Sequence, residues 1–564
     1  MRFGRLASLT SLSFGLAGCV AAVALGACSA GGTKDTGLNP GNDGGGINLD
    51  GGGIELDGDL AEGGLLGDPQ TCEEAAAAKA YVGCDFWPTV VANNVWSIFD
   101  YAVIVANAGE TEAEVQVTGP GGTNKTAKVP PGGLSKIYLP WVAALKGPDT
   151  DNCGVATPLP GSVRANKGAY HLVASRPVTV YQFNALEYKG SGGEAGKSWA
   201  SCPGNKSCAT SGGPVGCFSF SNDASLLLPS TAMTGNYRVT GVTGWTANGL
   251  FGPQDVLGAY VTITATQDDT NVTFKVGSRG RVLAGTGIAA TSAGGTLTLT
   301  MNAGDVVELT GEPKTTSDLS GSLVTATKPV QVIAGVPCIQ TPIGTQACDH
   351  VEESVFPAET LGRDYFVTVP TGPNGNVVGH VVRLYGNRDG TKLTYAPSKP
   401  SGAPDTLNAG QVVDLGQVKS DFRITGDQEF AVGSLMLGGA LLDPGAAVGS
   451  QKGDPSMSFA TAIEQYRKRY IFLAPDDYDV SYVDIIYPDG ASLSLDGASP
   501  PAGKAIGTTG FNIARAKLGK GKAGAHELTS TKPAGVQVMG YGSYTSYQYP
   551  GGLDLKSIAP PPVK

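Results

Sequence analysis

Charge is scarce in this sequence. Lys, Arg, Asp and Glu make up 16% of its 564 residues, against roughly 25% in ordinary soluble domains. The net charge is −10, and the densest basic runs are only Arg467-Lys-Arg and Lys517-Leu-Gly-Lys-Gly-Lys. No positive stripe is available to meet a phosphate backbone, which excludes nucleic acid as a partner. Histidine is scarcer still, with four in the chain, and the HExxH, GxSxG and strand–GxGxxG–helix signatures are all missing. The nearest approach to a phosphate loop is Gly190-SGGEAGKSW, where Ser191 stands in place of the required first glycine. We therefore expect no catalytic residue, no metal and no cofactor. Beyond the first 28 residues no apolar run reaches 18 residues, which excludes a spanning helix there. Long amphipathic helices are lacking too; the short candidates are Pro69-QTCEEAAAAKAYV and Thr461-AIEQYRKRY.

What the chain has is glycine, proline and alternation. Its 83 Gly and 36 Pro suit a turn-rich β architecture, which needs positive-φ and fixed-φ corners. A corner phrase recurs four times: His171-LVASRPVTVYQ, Ser322-LVTATKPVQVIAG, Phe422-RITGDQEFAVGS and His526-ELTSTKPAGVQVMGYGS. Each reads as strand, bend, strand. Upstream of each lies a hairpin, as in Ala259-YVTITATQDDTNVTFKV and His380-VVRLYGNRDGTKLTYAP, and between them a Gly-initiated strand, as in Asn302-AGDVVELTG and Asn408-AGQVVDLG. An aromatic phrase opens the later units: Asn236-YRVTG, Asp364-YFVTVP and Arg469-YIFLAP. A repeat of about 100 residues fits one small sandwich each. The fold class is all-β: four tandem, related β-sandwich or jelly-roll-like modules at 72–190, 218–338, 350–440 and 455–550.

Residues 1–28 have signal-peptide anatomy, with Arg2 and Arg5 ahead of an apolar stretch that ends in Leu25-Gly-Ala-Cys28. A Cys after Leu-x-small resembles the lipobox of bacterial lipoproteins, in which that Cys is acylated. Leu16-Ala-Gly-Cys19 is a second match. Cys28 is favoured because cleavage at Cys19 leaves an apolar mature terminus and an odd number of cysteines. Residues 29–71 are Gly/Asp-rich and too poor in apolar side chains to fold, so they read as a tether with a reach on the order of 35 Å. Residues 551–564, with their Pro run, read as an unstructured tail. Eight further cysteines in an exported chain, Cys72, Cys84, Cys153, Cys202, Cys208, Cys217, Cys338 and Cys348, suggest four disulfides. Cys72 with Cys84 and Cys338 with Cys348 are natural local pairs; the others can close in several ways. His350, among Asp349, Glu352 and Glu353, reads as a solvated interdomain loop, with a cation site as the competing reading.

The series Cys84-DFWPTVVANNVWSIFDYAVIVANAGE, Gly168-AYHLVASRPVTVYQFNAL, Ala224-SLLLPSTAMTGNYRVTG, Gly258-AYVTITATQDDTNVTF and Gly321-SLVTATKPVQVIAGVPC resembles the N-terminal domain family of IgGFc-binding proteins. The resemblance implies an extracellular β-rich binding module. The expected function is a lipid-anchored adhesion or binding protein of the cell envelope, on the outer membrane, that contacts an extracellular protein or polysaccharide. A structural spacer of the envelope and a hydrolase with an unrecognised site are the alternatives. Trp141, Trp199 and Trp245 lie in loop-like contexts and are the candidate contact residues, with core packing as the competing role for each.

Overall fold

Val-, Ile- and Thr-rich segments between Gly and Pro corners leave one face to bury, and every repeat resolves into strands accordingly. The computed structural model describes residues 68–209, 212–219, 221–249, 252–519, 521 and 524–562, all within one compact unit, Gly63–Lys564. The expected signal with Cys19 and Cys28, and the tether up to residue 67, lie outside the described residues.

The four repeats share one topology. In the second, Tyr260–Ala265 is flanked by Val306–Thr310 and Val330–Gln340 in one sheet, while Thr296–Met301, Thr270–Lys275, Leu323–Ala326 and Asn236–Arg238 form the other in that order. The third reproduces both sheets, with His380–Gly386 central to one and Asp364–Val367, Phe422–Gly426, Thr391–Ala396 and Thr406–Leu407 making the other. In the first and fourth the corner phrase does not break. It runs as one long strand, His171–Asn184 or Ala525–Gly542, whose first half pairs in one sheet and second half in the other. Pro177 and Pro533 sit where the strand changes sheets, so a missing N–H disrupts no continuous ladder.

The aromatic phrases have a common mechanical role. The hydroxyls of Tyr237 and Tyr365 donate to the carbonyls of Val330 and Phe430 (both 2.6 Å), and that of Tyr470 donates to Ala534. Each also accepts an amide from three residues upstream: Thr234 (3.2 Å), Gly362 (3.0 Å) or Arg467 (2.8 Å). One buried hydroxyl thereby ties the opening strand of a repeat to its corner and satisfies two backbone groups there.

Each repeat has one more strand, and in the first three the sequence boundaries put most or all of it in the following block. Ala224–Leu227, Cys348–Ser354, Met457–Phe459 and Thr545–Pro550 each pair back onto the returning strand of their own repeat. These inner strands also meet one another. The first touches the second and the fourth, and the third touches the same two, so the repeats stand around a shared axis. The largest apolar cluster belongs to all four, with Phe183, Leu226, Val351, Met457, Phe459 and Tyr547 among its members.

Polar atoms at this axis act as cross-links. Asp223 accepts the amides of Ala224 (2.9 Å), Glu352 (3.1 Å) and Met457 (3.0 Å), which joins three repeats through one carboxyl group. Asp349, His350, Glu352 and Glu353 are each 0% exposed. The expectation of a solvated loop there is wrong, because the segment is an inner strand walled by its neighbours. Burial raises the pKa values of Asp223, Asp349 and Glu353 well above the carboxyl range, and pushes that of Asp454 up to about 8.

The ring is closed by the two ends of the described chain. Ala80 bridges to Asp554, the Tyr81 amide donates to the Leu553 carbonyl (3.1 Å), and the Leu555 amide donates to Lys79 (2.8 Å). Arg467 pairs with both Asp68 and Asp554. Gly552, at φ +141°, lies so close to Tyr81 that a Cβ would approach its ring to 2.4 Å. Residues 551–555 are consequently packed, with Leu553 and Leu555 each 1% exposed, and the expectation of an unstructured tail fails for them. The first helix candidate is realised as Cys72–Ala78, capped reciprocally by Thr71 and Glu74. The second becomes a short 3-10 turn, Ile463–Gln465, followed by the strand Arg467–Leu473.

Candidate functional site

A cleft of about 720 Å³ lies between two loops of the first repeat, 150–158 and the longer 185–223, and the second repeat. The loop, 185–223, carries eight glycines and too few apolar residues to hold itself, and disulfides fix it. Cys153 is joined to Cys208 and Cys202 to Cys217. The pairs Cys72–Cys84 and Cys338–Cys348 form as the local spacing predicts. Behind the loop Val95, Trp96, Phe99, Ala185 and Cys202 make a small separate core. The opposite wall is a hairpin of the second repeat, Trp245–Gly249 with Gly252–Leu257.

The lining is mainly apolar and carries no ionisable base or acid among the described residues. Val155, Pro158, Val215, Trp245 and Val256 form much of the wall, together with Cys153 and the Cys338–Cys348 bridge. Val155 is 58% exposed, the second-highest value among the large exposed apolar side chains. Asn94 and Trp245 also line the cleft, and the Asn94 carboxamide oxygen and the Trp245 indole nitrogen have no hydrogen-bond partner among the described residues. An interface cleft with apolar walls and a few polar groups is the usual form of a binding site.

The three tryptophans are thus not one site. Trp245 is 8% exposed and lines the cleft from a strand, not from a loop. Trp199 packs on Phe99 (centroids 5.0 Å) and donates its indole N–H to Gly192 (3.0 Å), while Trp141 donates to Phe99 (2.7 Å) under Tyr101. Both brace the loop from behind. Val155 was not singled out by sequence; the available signal was a valine two positions after a cysteine in the turn-rich segment Gly147-PDTDNCGVATP.

The histidines are engaged elsewhere. His171 contacts Asp85 (2.6 Å), His526 contacts Asp496 (2.7 Å), and His380 contacts Ser434 (2.7 Å), with burial pushing His380 down to about 3. Among the described residues no group of three or more His, Cys, Asp or Glu is placed to hold a metal ion. No described helix is long and apolar enough to cross a membrane.

Because the wall depends on covalent ties, we predict that replacing Cys202 and Cys217 by serine costs about 3 kcal/mol of stability, the loop-closure value for 15 residues. The urea midpoint of the double variant checks this, and an unchanged midpoint would contradict it.

A family model described as IgGFc binding protein matches residues 223–540, more than half of the chain. The human IgGFc-binding protein is 26% identical over 255 residues, a stretch that is 43% of this chain but 4% of that protein. Among solved structures, an anti-sigma factor domain-containing protein from Clostridium clariflavum aligns over 53% of this chain and 83% of its own at 12% identity, with a TM-score of 0.10. A tetra-tandem repeat from the extending region of a large adhesion protein aligns over 84% and 99% at 11% identity, with a TM-score of 0.08. Neither is a match of overall fold. On the strength of the family model, this chain is a member of the IgGFc-binding protein family.

Proposed function

We propose that the chain is a lipid-anchored binding protein of the cell surface, held at the outer membrane through Cys28, or Cys19 in its place, and that its cleft receives an apolar segment of an extracellular protein. The observation that supports this most directly is the cleft itself: an apolar lining without acid or base, set between two repeats and braced by disulfides. Such a site binds and does not transform. Family membership agrees with a binding role. The adhesive function follows if the tether lifts the ring clear of the membrane.

The test is an array of extracellular proteins and glycans probed with the chain from Ser29 onward, followed by Val155→Asp. Val155 is surface-exposed, so the variant keeps its fold and its circular dichroism. A charge in the apolar wall must then be desolvated by any ligand, and we expect at least a tenfold loss of affinity for the captured protein. Undiminished capture by Val155→Asp would remove the cleft from the proposal, and turnover in a hydrolase screen would replace binding with catalysis.

A further inference from the structure

The contact between the second and third repeats holds two buried arginines in opposite electrostatic states. Arg383, 2% exposed, is paired with Asp318, which also receives Arg279 (2.7 Å), and Arg383 stands 3.8 Å from Asp414. It is an ion-paired structural cation, although its Nε too lacks a hydrogen-bond partner among the described residues. Arg238, 7% exposed, forms no ion pair among the described residues. Its Nη1 donates to the Gly321 carbonyl (2.9 Å), and its Nε has no partner among the described residues. Burial pushes this guanidinium down to about 10, with the nearby Asp389 carboxylate acting in the opposite direction. Leaving a cation so placed is costly unless something arrives to pair with it.

Arg238 lines a pocket of about 620 Å³ between the two repeats. The pocket's backbone is brought close by glycine: Gly321 and Gly410, at φ +81° and +74°, approach until a Cβ on the former would stand 2.1 Å from the carbonyl oxygen of the latter. Around the rim are Lys275, Asp389, Asn408 and Gln411. Asp389 and Asn408 each commit one side-chain oxygen to a local amide, of Ala409 and Gly390 respectively (both 3.0 Å). The lining holds no aromatic side chain. A densely charged anion would be repelled by Asp389. A ligand with one negative charge and several hydroxyls would meet a cation at depth and hydrogen-bonding groups at the rim.

We propose that this pocket is a second binding site, independent of the cleft, which takes an acidic sugar with its carboxylate on Arg238 and its hydroxyls on Asp389 and Asn408. The fit follows from Arg238 itself: its Nε has no hydrogen-bond partner among the described residues, and guanidinium–carboxylate geometry makes a paired contact there favourable.

The experiment is isothermal titration of the chain from Ser29 onward with digalacturonate, with the neutral digalactose and inorganic sulfate as parallel arms. We expect binding of digalacturonate alone, a loss of at least tenfold in Arg238→Met, and a smaller loss in Lys275→Gln. Because Arg238 forms no direct ion pair among the described residues, Arg238→Met should keep its urea midpoint, which a structural arginine would not. Equal binding of the neutral sugar, equal or tighter binding of sulfate, no binding of digalacturonate, or full affinity in Arg238→Met would each overturn the proposal. Should Arg238→Met fail to fold, Arg238 is structural and the proposal fails on that ground too.

Discussion

Replacing Leu553 and Leu555 together by alanine should unfasten the ring, with a loss of about 4–10 kcal/mol or outright failure to fold. Each side chain is 1% exposed within the apolar cluster shared by all four repeats, and a buried Leu→Ala change costs about 2–5 kcal/mol. The position matters beyond the packing itself. These residues carry the only backbone ladder linking the segment at Lys79–Val82 to the end of the described chain, among the described residues. Arg467 also depends on it, since Asp554 and Asp68 are its two acidic partners. If the repeats were independent beads, the damage would stay in the fourth. If they form one ring, limited proteolysis of the double variant should cut near residues 68–82 as early as near 550. Cleavage confined to the C-terminal end, with the urea midpoint of the rest unchanged, would refute the ring.

Much of the repeat architecture was legible because it rests on local signals. The corner phrases, the Gly-initiated strands and the aromatic openings carry period-two alternation between turn residues, and all of them are strands where the pattern puts them. The tyrosines at 237, 365 and 470 were visible as a repeated letter; their shared hydrogen-bonding role was not, because it depends on a carbonyl 64 to 93 residues away. The inner strands were misassigned for a similar reason. Ala224–Leu227 and Met457–Phe459 are short, and their pairing partners precede them across long loops, so sequence proximity favours the following block. The Asp349–Glu353 run illustrates the limit most sharply: four polar residues out of five argue for solvent, and only the presence of three other repeats around the strand makes them buried. The cleft was legible in one residue, Trp245, since the remainder of its wall comes from loops whose approach is set by disulfides.

That buried acid has a consequence for stability, and the expected result is a protein that weakens steeply between pH 6.5 and 8. Burial is the first cause in each case, and it pushes Glu187, Glu308 and Asp454 up to about 8. Their ordinary values are 4.5 for Glu and 3.8 for Asp, so across this interval the unfolded chain has released protons that the folded chain retains. Stability then falls as pH rises, by about 1.4 kcal/mol per pH unit for each retained proton, or roughly 4 kcal/mol per unit for the three together. His380 works in the opposite direction, but only between about 3 and 6.5, and Asp85 and Asp318, whose values are lowered, complete their titration in acid. Glu308 offers the cleanest check. One of its oxygens accepts both the Ala92 amide (2.9 Å) and the Thr262 hydroxyl (3.1 Å), and a glutamine carbonyl can accept the same two. Glu308→Gln should therefore match the parent at pH 5 and exceed it by about 3–5 kcal/mol at pH 8, the span from 4.5 to 8 at 1.4 kcal/mol per unit. Equilibrium urea unfolding at the two pH values measures both slopes. A parent whose midpoint rises from pH 6.5 to 8, or a Glu308→Gln chain with the parent's slope, would show that these carboxyl groups are ionised in the folded ring.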